Sequence, residues 1–321
     1  MRWLLALVLI ALAVPASTRT EAQTYPQRPV RLVLGFGPGG VADIVARTVA
    51  PKLTDALGQQ VVVENRPSAG GIVAADAVAK AEPDGHTLLL ISGGNAVSSS
   101  LYKSLSYDPV NDFAMVSSLG FFDLAIVVDP TSPIQTLRDL IQVAKDKPGT
   151  INLGTIGIGS TQHLSGELFR SLAGVNIVVV NYRATPAVML ALKGGEIQAA
   201  VEFLAPLAGQ IKQGAVRALG ATNTKRSPLL PDVPTVIESG LAGYEATSWN
   251  GVAAPAKTPA AVIQRLNREL VKIVDMPDVK ARLLELGVEA RGSTPEWLRD
   301  YFRAESDKWG RVIAQAGIEK Q

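Results

Sequence analysis

The 321-residue sequence contains no cysteine and only two histidines, His86 and His163. Without cysteine the chain forms no disulfide, no thiolate metal site and no thiol nucleophile. The two histidines are too far apart in sequence for a metal pair on one helix, and the motif H-E-x-x-H is missing. The serine hydrolase motif G-x-S-x-G is missing as well. The sequence therefore predicts no catalytic residue, no metal site and no cofactor.

Aromatic residues and excess charge are also scarce. Aromatic side chains make up 5% of the chain, which disfavours a groove lined by aromatic rings, of the kind that binds sugars or nucleobases. Lysine and arginine number 31 and aspartate and glutamate 29, a formal net charge of +2 without a basic block. With this balance of charge, nucleic acid is not an expected partner.

Long apolar runs are limited to the N-terminus. Met1-Arg2 precedes the apolar segment 3–14, and the small residues Ala16 and Ala22 follow. This pattern is typical of a secretory signal peptide and is short for a membrane-spanning helix, although an uncleaved anchor is the alternative. Cleavage fits after either alanine. We favour Ala22, which gives a signal peptide over residues 1–22 and an exported chain.

A glycine-rich segment, residues 35–40 (GFGPGG), follows an apolar strand at 30–34 and opens an amphipathic helix, and the strand 61–64 comes next. The segment matches the dinucleotide-binding motif G-x-G-x-x-G, with Glu64 as its acidic partner. The free N–H groups and positive dipole end of a helix N-terminus also bind any small anion. Because nicotinamide cofactors are not maintained outside the cytoplasm, we favour an anion site; an exported nicotinamide-dependent oxidoreductase is the alternative.

The second half of the sequence repeats this order. A short strand leads into a second glycine-rich segment, residues 154–161 (GTIGIGST), and a helix is predicted over 164–172. Strands that alternate with helices of about ten residues predict an α/β fold with parallel sheets. Two such units, each with an anion-binding loop before a helix, predict two domains that close over one ligand at the carboxyl ends of the strands.

The order of these segments also predicts the domain boundaries. The first domain comprises residues 23–124 and 247–321, and the second comprises residues 125–246. The chain therefore crosses between domains near 121–125 and again near 245–249, which gives a two-strand hinge.

Several polar residues near the two loops are candidate ligand contacts. Asp43 lies in the first turn of the first helix, where it either caps the helix or contacts the ligand. Ser160 and Thr161 end the second loop after its three glycines, where they either cap the next helix or, as we favour, bind the ligand. His163 is a candidate for the pocket wall, whereas His86, in a turn before a strand, is expected to be structural.

Four further residues follow predicted strands. Arg183 either pairs with a ligand carboxylate or is exposed, and Glu202 ends an apolar strand and is expected to point into the cleft. Ser92 and Asn95, which follow the strand 88–91, are also predicted to contact the ligand.

Motifs along the whole mature chain carry a family resemblance. In order they are Tyr25-Pro26, Gly37-Pro38-Gly39-Gly40 with Asp43, Glu64-Asn65-Arg66-Pro67, Pro83-Asp84-Gly85, Tyr107-Asp108-Pro109, Gly157-Ile158-Gly159-Ser160 with His163, Tyr182-Arg183 and Pro231-Asp232-Val233-Pro234. Each motif is weak alone and specific in this order. The chain resembles the substrate-binding proteins of tripartite tricarboxylate transporters, the Bug (TctC-like) family of periplasmic receptors.

The resemblance implies a periplasmic binding protein-like fold of type II, with two α/β domains around a ligand cleft. It implies a non-enzymatic periplasmic receptor, expected to be a monomer, that passes a small carboxylate to membrane permease subunits. A sensory subunit that presents its ligand to a membrane kinase is a further alternative. The positions implied to hold the carboxylate are Phe36, Gly39, Gly40, Val41, Asp43, Gly157, Gly159, Ser160, Thr161 and His163.

Three positions depart from the family pattern. Ser68 stands in place of a common glycine, Ala184 replaces another after Arg183, and Glu202-Phe203 occurs where an Asp-Asn pair is frequent. Because the last change lies in the expected pocket wall, the ligand of a relative is not transferred to this chain.

Overall fold

The strand–loop–helix order predicted for both halves is present in the computed structural model, which describes residues 25–321. The predicted signal peptide lies outside the described residues. In chain order the elements are β1 (Val30–Leu34), α1 (Val41–Leu57), β2 (Val61–Asn65), α2 (Ile72–Ala79), β3 (Thr87–Ser92), α3 (Gly93–Leu101), β4 (Phe113–Val128), α4 (Leu137–Asp146), β5 (Asn152–Ile156), α5 (Thr161–Ala173), β6 (Val178–Tyr182), α6 (Thr185–Lys193), β7 (Ala199–Phe203), α7 (Leu204–Lys212), β8 (Arg217–Ala221), β9 (Thr247–Pro255), α8 (Ala260–Asp275), α9 (Pro277–Glu285), β10 (Val288–Ala290) and α10 (Pro295–Ala316). Among these residues no helix is both long and apolar enough to cross a membrane.

The strands form one mixed sheet in the order β2-β1-β3-β9-β4-β7-β5-β6, and β8 and β10 also pair with β4. The pairs β1–β2, β1–β3, β5–β6 and β5–β7 are parallel, as predicted. The prediction of parallel sheets does not extend to β4 and β9, which are antiparallel to their neighbours. These two strands carry the chain in opposite directions between two lobes, so they must be antiparallel to each other.

The long strand β4 belongs to both lobes. Residues 113–123 pair with β9, whereas residues 124–128 pair with β7 and β8. We refer to the part of the sheet around β1, β2, β3 and β9 as the first lobe and to the part around β5, β6 and β7 as the second lobe. The sequence predicted only the last five residues of β4.

Helices cover both faces of each lobe. In the first lobe α1, α8 and α9 pack on one face, and α2 and α3 pack on the other. In the second lobe α4 and α5 cover one face, and α6 and α7 cover the other. Helix α10 spans the two lobes, since Leu298 and Phe302 pack in the first-lobe core while Trp309 and Ile313 pack in the second.

The second glycine-rich loop is shorter than predicted. Strand β5 continues through Gly154 to Ile156, so the loop begins at Gly157. A Cβ atom at Gly154 would lie 2.3 Å from Cδ1 of Ile197, which explains this glycine by close packing inside the lobe. Helices α3 and α7 and strands β8 and β10 were not predicted at all.

Candidate ligand-binding cleft between two glycine-rich loops

A cavity of about 490 Å³ lies between the lobes, where the carboxyl ends of β1, β3 and β5 meet the first turns of α1, α3 and α5. Both glycine-rich loops contribute to its walls. The predicted site residues that line it are Phe36, Gly40, Val41, Ser92, Gly157, Gly159, Ser160 and Thr161. The remaining predicted residues lie behind this lining or away from it.

The first loop ends at Gly40, which is the N-cap of α1 and supplies no side-chain cap. Gly39 has a φ of 84°, and its N–H donates a hydrogen bond to Oδ2 of Asp43 (2.9 Å). Asp43 therefore holds the shape of the loop and does not line the cavity. The N–H groups in the first turn of α1 have no acceptor within the helix, so they are available to an anion.

The Asp43 carboxylate is buried and fully engaged. Besides the Gly39 N–H, it accepts hydrogen bonds from Nε of Arg47 (2.9 Å) and from Nδ2 of Asn65 (2.9 Å). The hydrogen bond from Arg47 contributes most to holding the pKa of Asp43 at about 2, against the opposing effect of burial. The side chain is thus ionised at neutral pH.

The second loop is built in the same way. Ser160 is the N-cap of α5, and its Oγ accepts a hydrogen bond from the N–H of His163 (3.0 Å). Gly159 has a φ of 78° and donates its N–H to Nδ1 of His163 (3.1 Å). The N–H groups of Thr161 and Gln162 have no acceptor within the helix, and both residues line the cavity.

His163 supports this loop as a neutral side chain. It is 4% exposed, and burial, with a smaller effect from the positive charge of Arg170, lowers its pKa to about 4. Because Nδ1 accepts from Gly159, the proton of the neutral ring is on Nε2, which lies 3.8 Å from Oε1 of Glu167. His163 therefore positions the loop from behind and does not line the cavity.

The first turn of α3 forms a third part of the wall. Ser92 is the N-cap, and its N–H donates to Oδ1 of Asn95 (2.9 Å). Ser92, Gly93 and Gly94 line the cavity, whereas Asn95 is buried behind them. On strand β9, Asn250 is opposite Ser92 and also lines the cavity.

Two predicted residues are not at the cavity. Arg183 is exposed after β6. Glu202 is completely buried, and its Oε2 accepts hydrogen bonds from Oγ1 of Thr185 (3.0 Å) and from Nε2 of Gln162 (3.5 Å). Burial raises the pKa of Glu202. The carboxylate thus lies beneath the starts of α5 and α6, and Gln162 lines the cavity in its place.

Aromatic side chains line the cavity in spite of the low aromatic content of the chain. Besides Phe36 they are Tyr102, Phe122, Phe203 and Trp309. The expectation of a cleft without aromatic walls was therefore wrong, because a low overall content does not say where the aromatic residues lie. Phe36 was predicted, and Phe203 was noted as a departure from the family pattern. Phe122 lies in an apolar segment that looks like ordinary core, and Tyr102 and Trp309 lie in mixed segments without a recognisable motif.

In the part of the chain that the structure describes, the acidic residue of the dinucleotide motif is already paired. Both carboxylate oxygens of Glu64 accept hydrogen bonds from arginines, Oε2 from Arg31 (2.7 Å) and Oε1 from Arg66 (2.6 Å). Glu64 does not line the cavity. Within residues 25–321 no group of three or more histidine, aspartate or glutamate side chains is arranged to hold a metal ion.

Comparison with known proteins agrees with this architecture. Residues 45–318 match the family model described as tripartite tricarboxylate transporter family receptor. The chain is 34% identical to the protein BugT of Bordetella pertussis (strain Tohama I) over 319 residues, which cover 98% of each chain.

Solved structures are similar over nearly the whole chain. The periplasmic binding protein BugD is 34% identical with a TM-score of 0.75, covering 92% of this chain and all of that one. R. palustris Rpa4515 with adipate is 32% identical with a TM-score of 0.78 at the same coverage. The predicted fold, a type II periplasmic binding protein-like arrangement, is confirmed. This chain belongs to the tripartite tricarboxylate transporter receptors, the TctC/Bug family of periplasmic solute-binding proteins.

Proposed function

We propose that this protein binds a small carboxylate between its two lobes in the periplasm and delivers it to the permease subunits of a tripartite tricarboxylate-type transporter, without catalysing a reaction. The observation that carries the proposal is the presence of two helix N-termini, those of α1 and α5, in the walls of one interlobe cavity. Free N–H groups and converging positive dipole ends stabilise a carboxylate without a lysine or arginine.

The alternative of an oxidoreductase is less well supported by the site. A dinucleotide needs an acidic side chain that is free to bind the ribose hydroxyls. Both oxygens of Glu64 are occupied by Arg31 and Arg66. The second loop, which a nicotinamide enzyme would not require, is built with the same hydrogen bond as the first.

We also propose that the lobes correspond to domains 23–124 with 247–321 and 125–246. The change of partners along β4 supports a boundary at residues 123–124, and β9 begins at Thr247. A ligand that contacts both lobes favours the closed arrangement, and only this difference in affinity shifts the population. X-ray scattering in solution should give a smaller radius of gyration with ligand than without it; equal values would contradict hinge closure while leaving binding intact.

The binding assignment is tested by thermal unfolding and calorimetry on the chain from residue 23 onward. Each carboxylic acid of a panel is measured beside its amide, which keeps the shape and removes the charge. An acid at about a hundred times its dissociation constant should add about 2.7 kcal/mol of stability, and its amide should add much less. Equal effects of acid and amide, or binding of NAD alone, would contradict the proposal.

Delivery is tested separately from binding. In proteoliposomes that contain the permease subunits, uptake of the bound acid should require this protein. The arrangement of neighbouring genes distinguishes transport from signalling, because two permease genes favour the former and a sensor kinase gene the latter.

A further inference from the structure

The side chains around the cavity restrict the chemical class of the ligand beyond the single carboxylate of the proposed function. Aromatic and aliphatic groups from both lobes form most of the wall. Phe122 on β4 and Phe203 on β7 pack against each other with ring centroids 5.4 Å apart and planes inclined at 55°. Trp309 of α10 and Leu101 of α3 extend the apolar surface. Apolar surface of this kind favours an apolar ligand body.

The loops themselves also carry apolar side chains. Phe36 in the first loop is 37% exposed, and Ile158 in the second is 54% exposed, although both line the cavity. Large exposed apolar side chains at the edge of a cleft are suited to cover an apolar group in it. The two loops that offer N–H groups to a carboxylate thus offer apolar contacts to the atoms beside it.

Charge at the cavity argues against a second ionised group. Among residues 25–321, none of the lysine, arginine or histidine side chains lines the cavity, and Glu305 is the one lining residue whose side chain carries a charge. Its Oε2 accepts a hydrogen bond from Nε1 of Trp309 (2.8 Å), and the carboxylate pairs with Lys308. A second ligand carboxylate near Glu305 would face a carboxylate whose cation, Lys308, is already paired. An ammonium group beside the ligand carboxylate would lie against the positive ends of α1 and α5. Either charge is therefore less favourable in this cavity than an apolar group.

A neutral polar substituent has a place in the cavity. Asn250 is 2% exposed, and its Oδ1 has no hydrogen-bond partner among the described residues. A buried amide without a partner is costly, so a ligand hydroxyl that donates to Oδ1 would bind favourably there.

We infer that the ligand is a monocarboxylate with an apolar, ring-sized body and at most a neutral hydroxyl substituent, not a dicarboxylate, tricarboxylate or amino acid. This inference rests on the proposed function. It predicts that the carboxylate binds at the first turns of α1 and α5, and that the body lies against Phe122 and Phe203. Phe36 and Ile158 then cover the body when the lobes close.

Calorimetry with four matched acids tests this inference. Hexanoate and adipate differ by one carboxylate, 3-phenylpropanoate adds a ring, and phenylalanine adds an ammonium group to 3-phenylpropanoate. We expect 3-phenylpropanoate to bind at least about tenfold more tightly than adipate or phenylalanine, and hexanoate more tightly than adipate, a tenfold ratio being about 1.4 kcal/mol. Tighter binding of adipate than of hexanoate would overturn the inference and leave the proposed function standing. Failure of all four acids to bind would overturn the inference, whereas the proposed function is overturned only if no acid of the wider panel binds.

A pair of exposed isoleucine and leucine residues provides the matched variants. Ile158→Ala should weaken 3-phenylpropanoate binding about tenfold and leave the melting temperature unchanged, because the side chain is 54% exposed and so contributes little to folding. Leu190→Ala removes a side chain that is 73% exposed on α6 and does not line the cavity, and it should change neither quantity. Phe203→Asn should lower the affinity ratio of 3-phenylpropanoate to adipate. Unchanged affinity in Ile158→Ala would refute the role of the loop side chains.

Discussion

The N–H of Gly159 donates a hydrogen bond to Nδ1 of His163, four residues further along the chain (3.1 Å). The first lobe repeats this relationship with different chemistry, since the N–H of Gly39 donates to Oδ2 of Asp43 (2.9 Å). In both cases the glycine has a positive φ and the acceptor lies in the first turn of the helix. The acceptor therefore fixes the glycine, and the loop presents its remaining N–H groups in one direction.

His163 should make stability depend on pH. Its pKa is lowered to about 4, below the ordinary value of 6.5, so between these values the unfolded chain binds more protons than the folded protein. Stability should therefore fall as the pH is lowered from about 6.5 to 4, by at most about 3 kcal/mol. His163→Asn, whose Oδ1 accepts from Gly159 without titrating, should lose less stability between pH 7.5 and pH 4.5 in urea unfolding. Glu167 and Arg170, the charged neighbours, are the same in both proteins. Identical pH dependence in the two would contradict this.

Asp43→Ala should weaken carboxylate binding about tenfold and lower stability by about 1–3 kcal/mol, because the Gly39 N–H and Arg47 lose a buried acceptor. Asp43→Asn keeps one oxygen for the Gly39 N–H and should retain more of both. Asp139→Ala is the control, since Asp139 caps α4 in the same way, outside the cavity lining. It should lower stability without changing affinity. Calorimetry and urea unfolding of the three variants measure these effects, and equal affinity losses in Asp43→Ala and Asp139→Ala would remove the loop from the site.

Alanine variants of two glycines in the first loop distinguish an effect on ligand binding from an effect on stability. Gly40 has an ordinary φ of −77°, and a Cβ there would approach only the carbonyl oxygen of Gly37, at 4.0 Å. Gly40→Ala should therefore cost less than about 1 kcal/mol of stability, yet weaken carboxylate binding, because Gly40 lines the cavity. A Cβ at Gly37 has nothing within 4 Å, and Gly37 does not line the cavity. Gly37→Ala should bind normally. Titration calorimetry distinguishes the two, and equal affinities would exclude close approach of the ligand to Gly40.

Glu202→Gln should stabilise the protein at pH 8. Burial raises the pKa of Glu202, so the folded protein binds the proton more tightly than the unfolded chain. The stability that this proton contributes is present at low pH and is lost as the pH rises through the raised pKa. Glutamine keeps the neutral shape and contacts with Gln162 and Thr185. Its melting temperature should exceed that of the wild type at pH 8 and approach it near pH 4.5. A lower melting temperature at pH 8 would indicate that the charged form is needed.

The parts of the site that could be predicted are those with a local signature. Glycine clusters after apolar strands marked both loops, and the acceptors Asp43 and His163 lie only a few residues beyond them. The Phe122–Phe203 pair has no such signature. Each residue ends or lies within an apolar strand, and their contact depends on β4 pairing with β7. The predicted orientation of Glu202 was wrong for the same reason. Its burial depends on where α5 and α6 start, which the local sequence does not indicate.

The sequence did not predict secondary structure where tertiary packing outweighs the local preference of the residues. Helix α3 begins with two glycines and contains three consecutive serines, a composition that disfavours a helix in isolation. It forms against α10, where a Cβ at Gly310 would lie 3.0 Å from Oγ of Ser100. Strand β4 was predicted too short because Ser117, Ser118 and Gly120 interrupt the apolar run in its first part, whereas residues 124–128 are uniformly apolar.

The continuity of β4 ties the lobes together when the protein unfolds. Its sixteen residues form hydrogen-bonded ladders with β9 on one side of residue 124 and with β7 and β8 on the other. Unfolding of either lobe therefore removes hydrogen-bonded neighbours from a strand that is also part of the other lobe. Heating should accordingly produce one cooperative calorimetric transition. A fragment of residues 125–246 would keep only four residues of that strand. Those four residues keep their pairs with β8 and all but one of the pairs with β7, but the whole ladder of β4 with β9 is lost, so the remnant of the strand would be held by the second lobe alone.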